Sequence, residues 1–421
     1  MPDLPAGRPA NNRLLMVMPY EQLVRKAVAA GFRVWSLWDP ALRGPAYLSQ
    51  VAEHSEELLR ADFGDVAGLR ALVAKTARAH RVHAVLHMGS EATMVPVAAE
   101  AERLGLALNP ASALRLLNDK AALRETLNTT PETTVAARCA TTPADVRRAV
   151  AGRSLPAVVK PTGSAGSRGV ALLRSAADLD RWEAAVRREG VPGPYLVEDY
   201  LTGPEFSVET LSSGGRHRLI GITAKQTSGP PGFVETGHFF PAPLSEPDRA
   251  AVLRATTDLL DRCGYRFGPA HTEVVLTSRG PRVVESQARL GGDRIPLLIA
   301  TASGFDIEQA VFGILSDGRL PRPPEPHRHA AIRFFRLPPG RLTGTGDTGA
   351  IRALSHVHAL HFPHAPGGLL PPVTNSATRH GYAVVHADTP QQAVRRLDEV
   401  ESMLAASVAE TGGPRQEGAA R

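Results

Sequence analysis

Two glutamates twelve residues apart, Glu273 in HTEVVL and Glu285 in PRVVES, each interrupt an apolar run. The segment between them contains TSRGP and reads as a turn. A hairpin of that length sets the two carboxylates opposite each other on one face. Facing carboxylates repel unless a cation lies between them, and Mg²⁺ is the natural resident, bound by one or two carboxylates plus phosphate oxygens. The plainer alternative is a pair of surface glutamates with separate partners.

A second stretch, VVKPTGSAGSRGV (158–170), carries a lysine at the end of an apolar run and glycines at 163, 166 and 169. Bare backbone N–H groups in such a loop can approach phosphate oxygens that a Cβ would block. Three known loops do not fit it. A P-loop closes on Lys-Ser/Thr, where Arg168-Gly169 stands; a dinucleotide fingerprint reads G-x-G-x-x-G and opens a helix; a nucleophile elbow around Ser164 needs glycine where Thr162 stands. What is left is strand, lysine, loop, strand: a hairpin that folds over a nucleotide, or a plain mobile hairpin. The phosphates of a nucleotide carry several negative charges, so a site that grips them needs cations, a metal and adjustable backbone. Lys120 and Lys160 suit phosphate oxygens as compact point charges, although a random lysine is usually a solvated one. Lys120 and Arg124 lie four apart in NDKAALRETL, hence on one helix face.

The elements that must position these groups read as follows. From residue 12 to about 110, RLLMVM, FRVWSLW and HAVLHM alternate with helical EQLVRKAVAAG, DVAGLRALVAKTARAH and EATMVPVAAEAERLG. That alternation predicts a doubly wound parallel sheet. PYLVEDYL, EFSVETL, LIGITAK, HTEVVLT and PRVVES (194–286) predict one antiparallel sheet. PRPPEPHRH (321–329) reads as a stiff linker before a smaller α+β segment that ends in the helix PQQAVRRLDEVESMLA. The fold class is α/β with α+β character in the second part. Its expected divisions are 1–115, a small lid at 116–195, a larger antiparallel subdomain at 196–325 and a C-terminal extension at 326–412.

With 421 residues, 43% apolar and 21% charged, the composition is that of a globular protein with substantial cores. The net charge of +6 comes from arginines scattered among Glu and Asp. This favours a pocket for anions or a mildly basic surface over a nucleic-acid platform. Two distant cysteines with no CxxC suggest neither a disulfide framework nor a zinc site. LLMVM is too short for a signal peptide and no window approaches 18 uninterrupted apolar residues. The expectation is a cytoplasmic protein with no membrane partner.

In order along the chain, Lys120 with Arg124, VVKP, the glycine loop, VEDYLTGPEFSVE and HTEVVLTSRGPRVVESQARLGG resemble the ATP-grasp superfamily. The resemblance covers roughly residues 12–410 and implies the ATP-grasp fold. It implies ATP with Mg²⁺ or Mn²⁺, two ions, held by Glu273 and Glu285. By resemblance, Lys120, Lys160, Gly163, Ser164, Gly166, Ser167 and Gly169 meet the phosphates, and Glu198, Tyr200 and Leu201 meet adenine. Glu205 accepts the ribose hydroxyls, and Arg289 steadies an acyl-phosphate and tetrahedral intermediate. The family usually has Asn two residues after the second glutamate; Gln287 stands there, which leaves the third metal ligand open.

VVESQARLGGDRIPLLIATASGFD is most similar to L-amino acid ligases that make dipeptides. That similarity implies a carboxylate–amine ligase working through an acyl-phosphate on small-molecule substrates; a homodimer is one assembly it allows. Glu91, His238, His271, Gly291, Gly292 and Asp293 are candidate substrate contacts, though either histidine could be a satisfied structural one. Gly291 and Gly292 would remove bulk for a side chain. Asp293 would set a carboxylate at the pocket edge, or cap the helix beginning near Ile295. The alternatives are a purine-pathway-like ATP-grasp carboxylase or formyl-transferring enzyme, and a catalytically inactive nucleotide-binding regulator.

Overall fold

A computed structural model describes residues 12–409 apart from 90, 164, 165 and 231. The first unit is a four-stranded parallel sheet of Arg13–Val17, Arg33–Trp38, Glu57–Arg60 and Ala84–His87, in the order third, second, first, fourth. Alternate residues of its first strand feed two separate cores. Leu14 and Met16 pack with Leu23, Val24 and Ala27, while Leu15 and Val17 pack with Leu69, Val73 and Val97 on the opposite face. A strand covered on both faces reads as a continuous apolar run, which is why RLLMVM carries no alternation. The helix Pro45–Ala52 and the edge strand Glu57–Arg60 had no sequence expectation. The strand ELLR is short and half-exposed, so it leaves little pattern to read.

The lid is a second, antiparallel sheet ordered Ala137–Ala140, Tyr195–Asp199, Ala157–Pro161, Ala171–Leu173. Its helix Pro143–Ala151 starts with a reciprocal capping box between Thr142 and Asp145. PYLVEDYL was expected in the large sheet and lies here instead. Tyr195 and Val197 belong to the lid core with Val186 and Trp182, whose ring meets that of Tyr195 edge-on at 5.1 Å. The apolar run gave strand type correctly; which sheet it joins depends on long-range packing.

The large sheet has eight antiparallel strands in the order Gly280–Gln287, Gly268–Thr277, Glu205–Ser213, Arg216–Thr227, Glu235–Phe240, His329–Phe334, Tyr382–Ala387, Val357–His361. It runs without a break from the central region into the segment after residue 326. The helix Ile295–Ser303 packs on it through Leu298, Ile299 and Ala302. No single helix among the described residues is long and apolar enough to cross a membrane. The apolar pair Ile295–Ser303 and Ile307–Asp317 bends by 88°.

Candidate active site

The lid and the large sheet face each other across a cavity of about 250 Å³. Its walls include Lys120, Lys160, Glu198, Tyr200, Leu201, Glu205, His238, His271, Glu273, Glu285, Arg289, Gly292 and Asp293, so residues from five stretches of sequence converge. The hairpin register pairs Glu273 directly with Glu285.

Lysines reach those carboxylates from two sides. Lys120, first residue of the helix Lys120–Leu127, sets its Nζ 2.9 Å from Glu285 Oε2. Lys225 Nζ lies 2.7 Å from Glu273 Oε1 and 2.8 Å from Glu205 Oε1. Burial works to raise the Glu273 carboxyl, but Lys225 and His271 outweigh it and hold the group well below the usual carboxylate range. Burial and the neighbouring Glu273 push Glu205 up, against the opposing pull of Lys225. For Glu285, Lys120 overcomes burial and lowers the carboxyl.

Gln287 Nε2 donates to Glu285 Oε1 at 2.6 Å, and its buried Oε1 has no partner among the described residues. Two opposed carboxylates beside an unsatisfied amide oxygen form an all-oxygen donor set, which fits a hard divalent cation shared with phosphate. Among the described residues no group of three or more His, Cys, Asp or Glu is arranged as a metal cage.

Lys160 ends the strand Ala157–Pro161 and is buried. Its Nζ lies 2.5 Å from Glu198 Oε1 and donates to the Val284 carbonyl at 3.2 Å. Arg124 takes the other Glu198 oxygen at 3.0 Å through Nε and bonds the Val283 carbonyl at 2.8 Å. Burial alone would raise the Glu198 carboxyl; Lys160 and Arg124 lower it. Both of its oxygens are therefore committed to cations. Glu198 thus orients Lys160 and ties lid to hairpin, and its side chain has no oxygen left over for the adenine contact expected of it.

In the glycine loop, Gly166, Ser167 and Gly169 all have left-handed backbones. A Cβ on Gly169 would stand 2.9 Å from Val191 Cγ1 and 3.0 Å from Pro161 Cγ, so no other residue fits there. Ser167 Oγ donates to the Phe233 carbonyl at 3.2 Å. Gly163 borders the same region near Lys120 and Glu285. Ser164 lies outside the described residues.

Arg289 Nε donates to Glu91 Oε1 at 2.8 Å, joining the cavity to the first helix turn after the strand Ala84–His87. His271 Nδ1 lies 2.5 Å from Glu209 Oε1. Burial would lower this imidazole, but Glu209 pushes it up to about 10, so it is a cation at neutral pH. A Cβ at Gly291 would lie 2.7 Å from Glu209 Oε1 and 2.9 Å from His271 Nδ1. Gly291 thus makes room for this ion pair and not for a substrate side chain, correcting the sequence reading; Gly292 does face open space.

Asp293 is not a helix cap either. The cap position of Ile295–Ser303 is Arg294, with no side-chain cap bond. Asp293 is gripped in a fork by Arg379, at 2.9 and 2.5 Å, and meets His238 Nε2 at 2.9 Å.

The sequence reading did not single out Lys225, Glu209 or Arg379. Lys225 ends the apolar run LIGITA as Lys160 ends AVV, so a signal existed. Arg379 stands 86 residues from the carboxylate it holds and leaves no local trace.

Comparison with known proteins fits this geometry. Residues 153–296 match the ATP-grasp domain, and residues 333–409 match the L-amino acid ligase C-terminal domain 2. Over 343 residues the chain is 31% identical to phosphoribosylamine–glycine ligase of Streptomyces coelicolor, covering 75% of this chain and 76% of that one. The chain belongs to the ATP-grasp family.

Within the ATP-grasp family it is 26% identical over 253 residues to alanine–anticapsin ligase of Bacillus subtilis, covering 55% of this chain and 53% of that protein. The chain thus spans about half the length of that curated relative. The ATP-grasp fold recurs in the crystal structure of L-amino acid ligase from Bacillus licheniformis. That match has a TM-score of 0.79 and 22% identity, covering 96% of this chain and 99% of that one.

Proposed function

We propose that this ATP-grasp protein joins a carboxylate to an amine, with ATP converted to ADP and phosphate, and that the product is a dipeptide or amino-acid conjugate. One observation carries the reading: Glu273 and Glu285 stand opposed in a single cavity with Lys120, Lys160 and Arg289. The match of residues 333–409 to an L-amino acid ligase C-terminal domain supports the amino-acid class over the purine-pathway alternative.

In this reading the substrate carboxylate oxygen attacks the γ-phosphorus of ATP, the bond to the bridging oxygen breaks, and ADP leaves. The amine nitrogen then attacks the acyl carbon of the resulting acyl-phosphate, phosphate departs, and the amine gives up a proton. Lys120 and Lys160 offset charge on the phosphates, and the glycine loop keeps out water that would hydrolyse the intermediate. Glu273 and Glu285, with Gln287, would hold one or two divalent ions. When bound, Mg²⁺ or Mn²⁺ neutralises the β- and γ-oxygens. Arg289, fixed by Glu91, faces the acyl oxygen that gains negative charge. Val158, Tyr200, Leu201 and Val275 offer the apolar walls an adenine needs, and Glu205 an acceptor for ribose hydroxyls.

The test is a screen of L-amino acid pairs with ATP and Mg²⁺, reading ADP release and amide mass together. Pair-dependent ADP with a matching amide supports the proposal. Nucleotide binding without ADP release from any pair would favour an inactive regulator.

A further inference from the structure

The glycine loop is fastened at two consecutive residues to elements outside the lid. Ser167 Oγ donates to the Phe233 carbonyl at 3.2 Å. The Gly166 carbonyl accepts from the backbone N–H of Ser376 at 3.4 Å, a long bond and therefore one that is readily released. Ser376 lies far along the chain, within the segment 333–409 and outside the ATP-grasp match.

Ser376 sits on a firmly built turn. It opens the 3₁₀ turn Ser376–Thr378, whose capping residue Asn375 accepts from the Ala377 N–H at 2.9 Å. The Thr378 hydroxyl accepts in return from the Asn375 N–H at 3.2 Å. Buried His380 pins the far end. Its Nδ1 accepts from the Leu337 N–H at 3.1 Å, so its Nε2 carries the proton donated to the Pro371 carbonyl at 2.8 Å.

Cavity walls that come from distant strands meet on this turn. Ser376 Oγ donates to Glu235 Oε2 at 2.5 Å, and Glu235 lines the cavity. A hydroxyl on a carboxylate is a charge-assisted bond, stronger than the amide contact to Gly166. Arg379 Nε donates to the Ser376 carbonyl at 2.8 Å, while its other nitrogens fork onto Asp293. Ser376 is thus anchored to two cavity walls and presents only its N–H to the loop.

We infer that Ser376 is a positioning residue: from the C-terminal segment it clasps the glycine loop at Gly166, and the clasp keeps water from the acyl-phosphate. This rests on the ligase reading above. When the clasp fails, water attacks the acyl carbon and phosphate departs with one of the water protons. The carboxylate is regenerated, the second proton is released, and ATP is spent without an amide.

Two variants grade the effect. Ser376→Ala removes the hydroxyl that anchors the residue to Glu235 and keeps the N–H. Ser376→Pro removes both, and puts a ring carbon where the hydrogen faced Gly166. Proline suits the first position of such a turn, and Asn375 already has the extended backbone that precedes a proline. Limited trypsin digestion of the full chain without ligands, followed by mass spectrometry, measures cleavage after Arg168, an exposed residue in the loop. Cleavage after Arg181, in the lid helix Ala176–Arg188, serves as the reference that reports general unfolding.

Relative to Arg181, cleavage after Arg168 should rise about threefold in Ser376→Ala and about tenfold in Ser376→Pro, the range set by losing one or two hydrogen bonds. With a productive amino acid pair the wild type should form one ADP per amide, and Ser376→Pro at least about two. Unchanged relative cleavage in Ser376→Pro overturns the clasp, as does faster cleavage with ADP and amide still equal. If the wild type makes no amide from any pair, the ligase reading falls and the cleavage rates alone decide whether Ser376 holds the loop.

Discussion

Glu273 and Glu285 sit directly across from each other in the hairpin register, yet each is held by a different lysine, Lys225 at 2.7 Å and Lys120 at 2.9 Å. The lysines thus offset a repulsion that a divalent ion would otherwise relieve. Glu285→Ala should lower ADP formation by about 100-fold or more, the scale of losing a preorganised charge contact at a transferring group. The melting transition should stay cooperative by circular dichroism. Normal turnover at sub-millimolar Mg²⁺ would remove Glu285 from the metal site.

Lys160→Ala should act differently. Glu198 keeps Arg124, so the fold holds, while the proposed phosphate contact and the lysine bridge from lid to Val284 are lost. KM for ATP should rise and single-turnover ADP formation should slow. Unchanged ATP affinity with full activity would exclude Lys160.

Lys225 was not singled out from sequence, and it makes a sharp test. Lys225→Met leaves Glu205 and Glu273 buried without their shared cation. Breaking a buried pair in this way costs roughly 3–5 kcal/mol. Urea denaturation should report a loss on that scale at pH 7, shrinking at lower pH as Glu205, whose carboxyl is already pushed up, takes a proton. A variant as stable as wild type at pH 7 would mean these charges are compensated elsewhere.

Asp293 gives a pH prediction. Burial alone would raise its carboxyl, but the bonds from Arg379 and His238 hold it below the usual carboxylate range. A depressed folded-state pKa adds stability above the unfolded value of about 3.9, and that stability is lost as pH falls through the folded value. The stability gap between wild type and Asp293→Asn should therefore narrow as pH falls below about 4. A gap that widens on acidification would contradict the assignment.

The parts of this site that could be read in the sequence are those written locally. The Glu273–Glu285 hairpin spacing, the lysine closing AVV and the strand–helix alternation of residues 12–110 each follow from side-chain periodicity within one or two elements. What escaped reading depends on contacts between distant segments. Arg379 and Asp293 meet only because the large sheet continues past residue 326, and Glu198 turns inward because its strand joins the lid. Gly291 had a local signal, the missing side chain, but its reason is the Glu209–His271 pair packed against it.

The most direct measurement of the central proposal is the nucleotide product formed alongside the amide. With a productive amino acid pair, chromatography of the quenched reaction should give one ADP and one phosphate per amide, as attack of a carboxylate on the γ-phosphate requires. AMP and pyrophosphate in place of ADP and phosphate would contradict it.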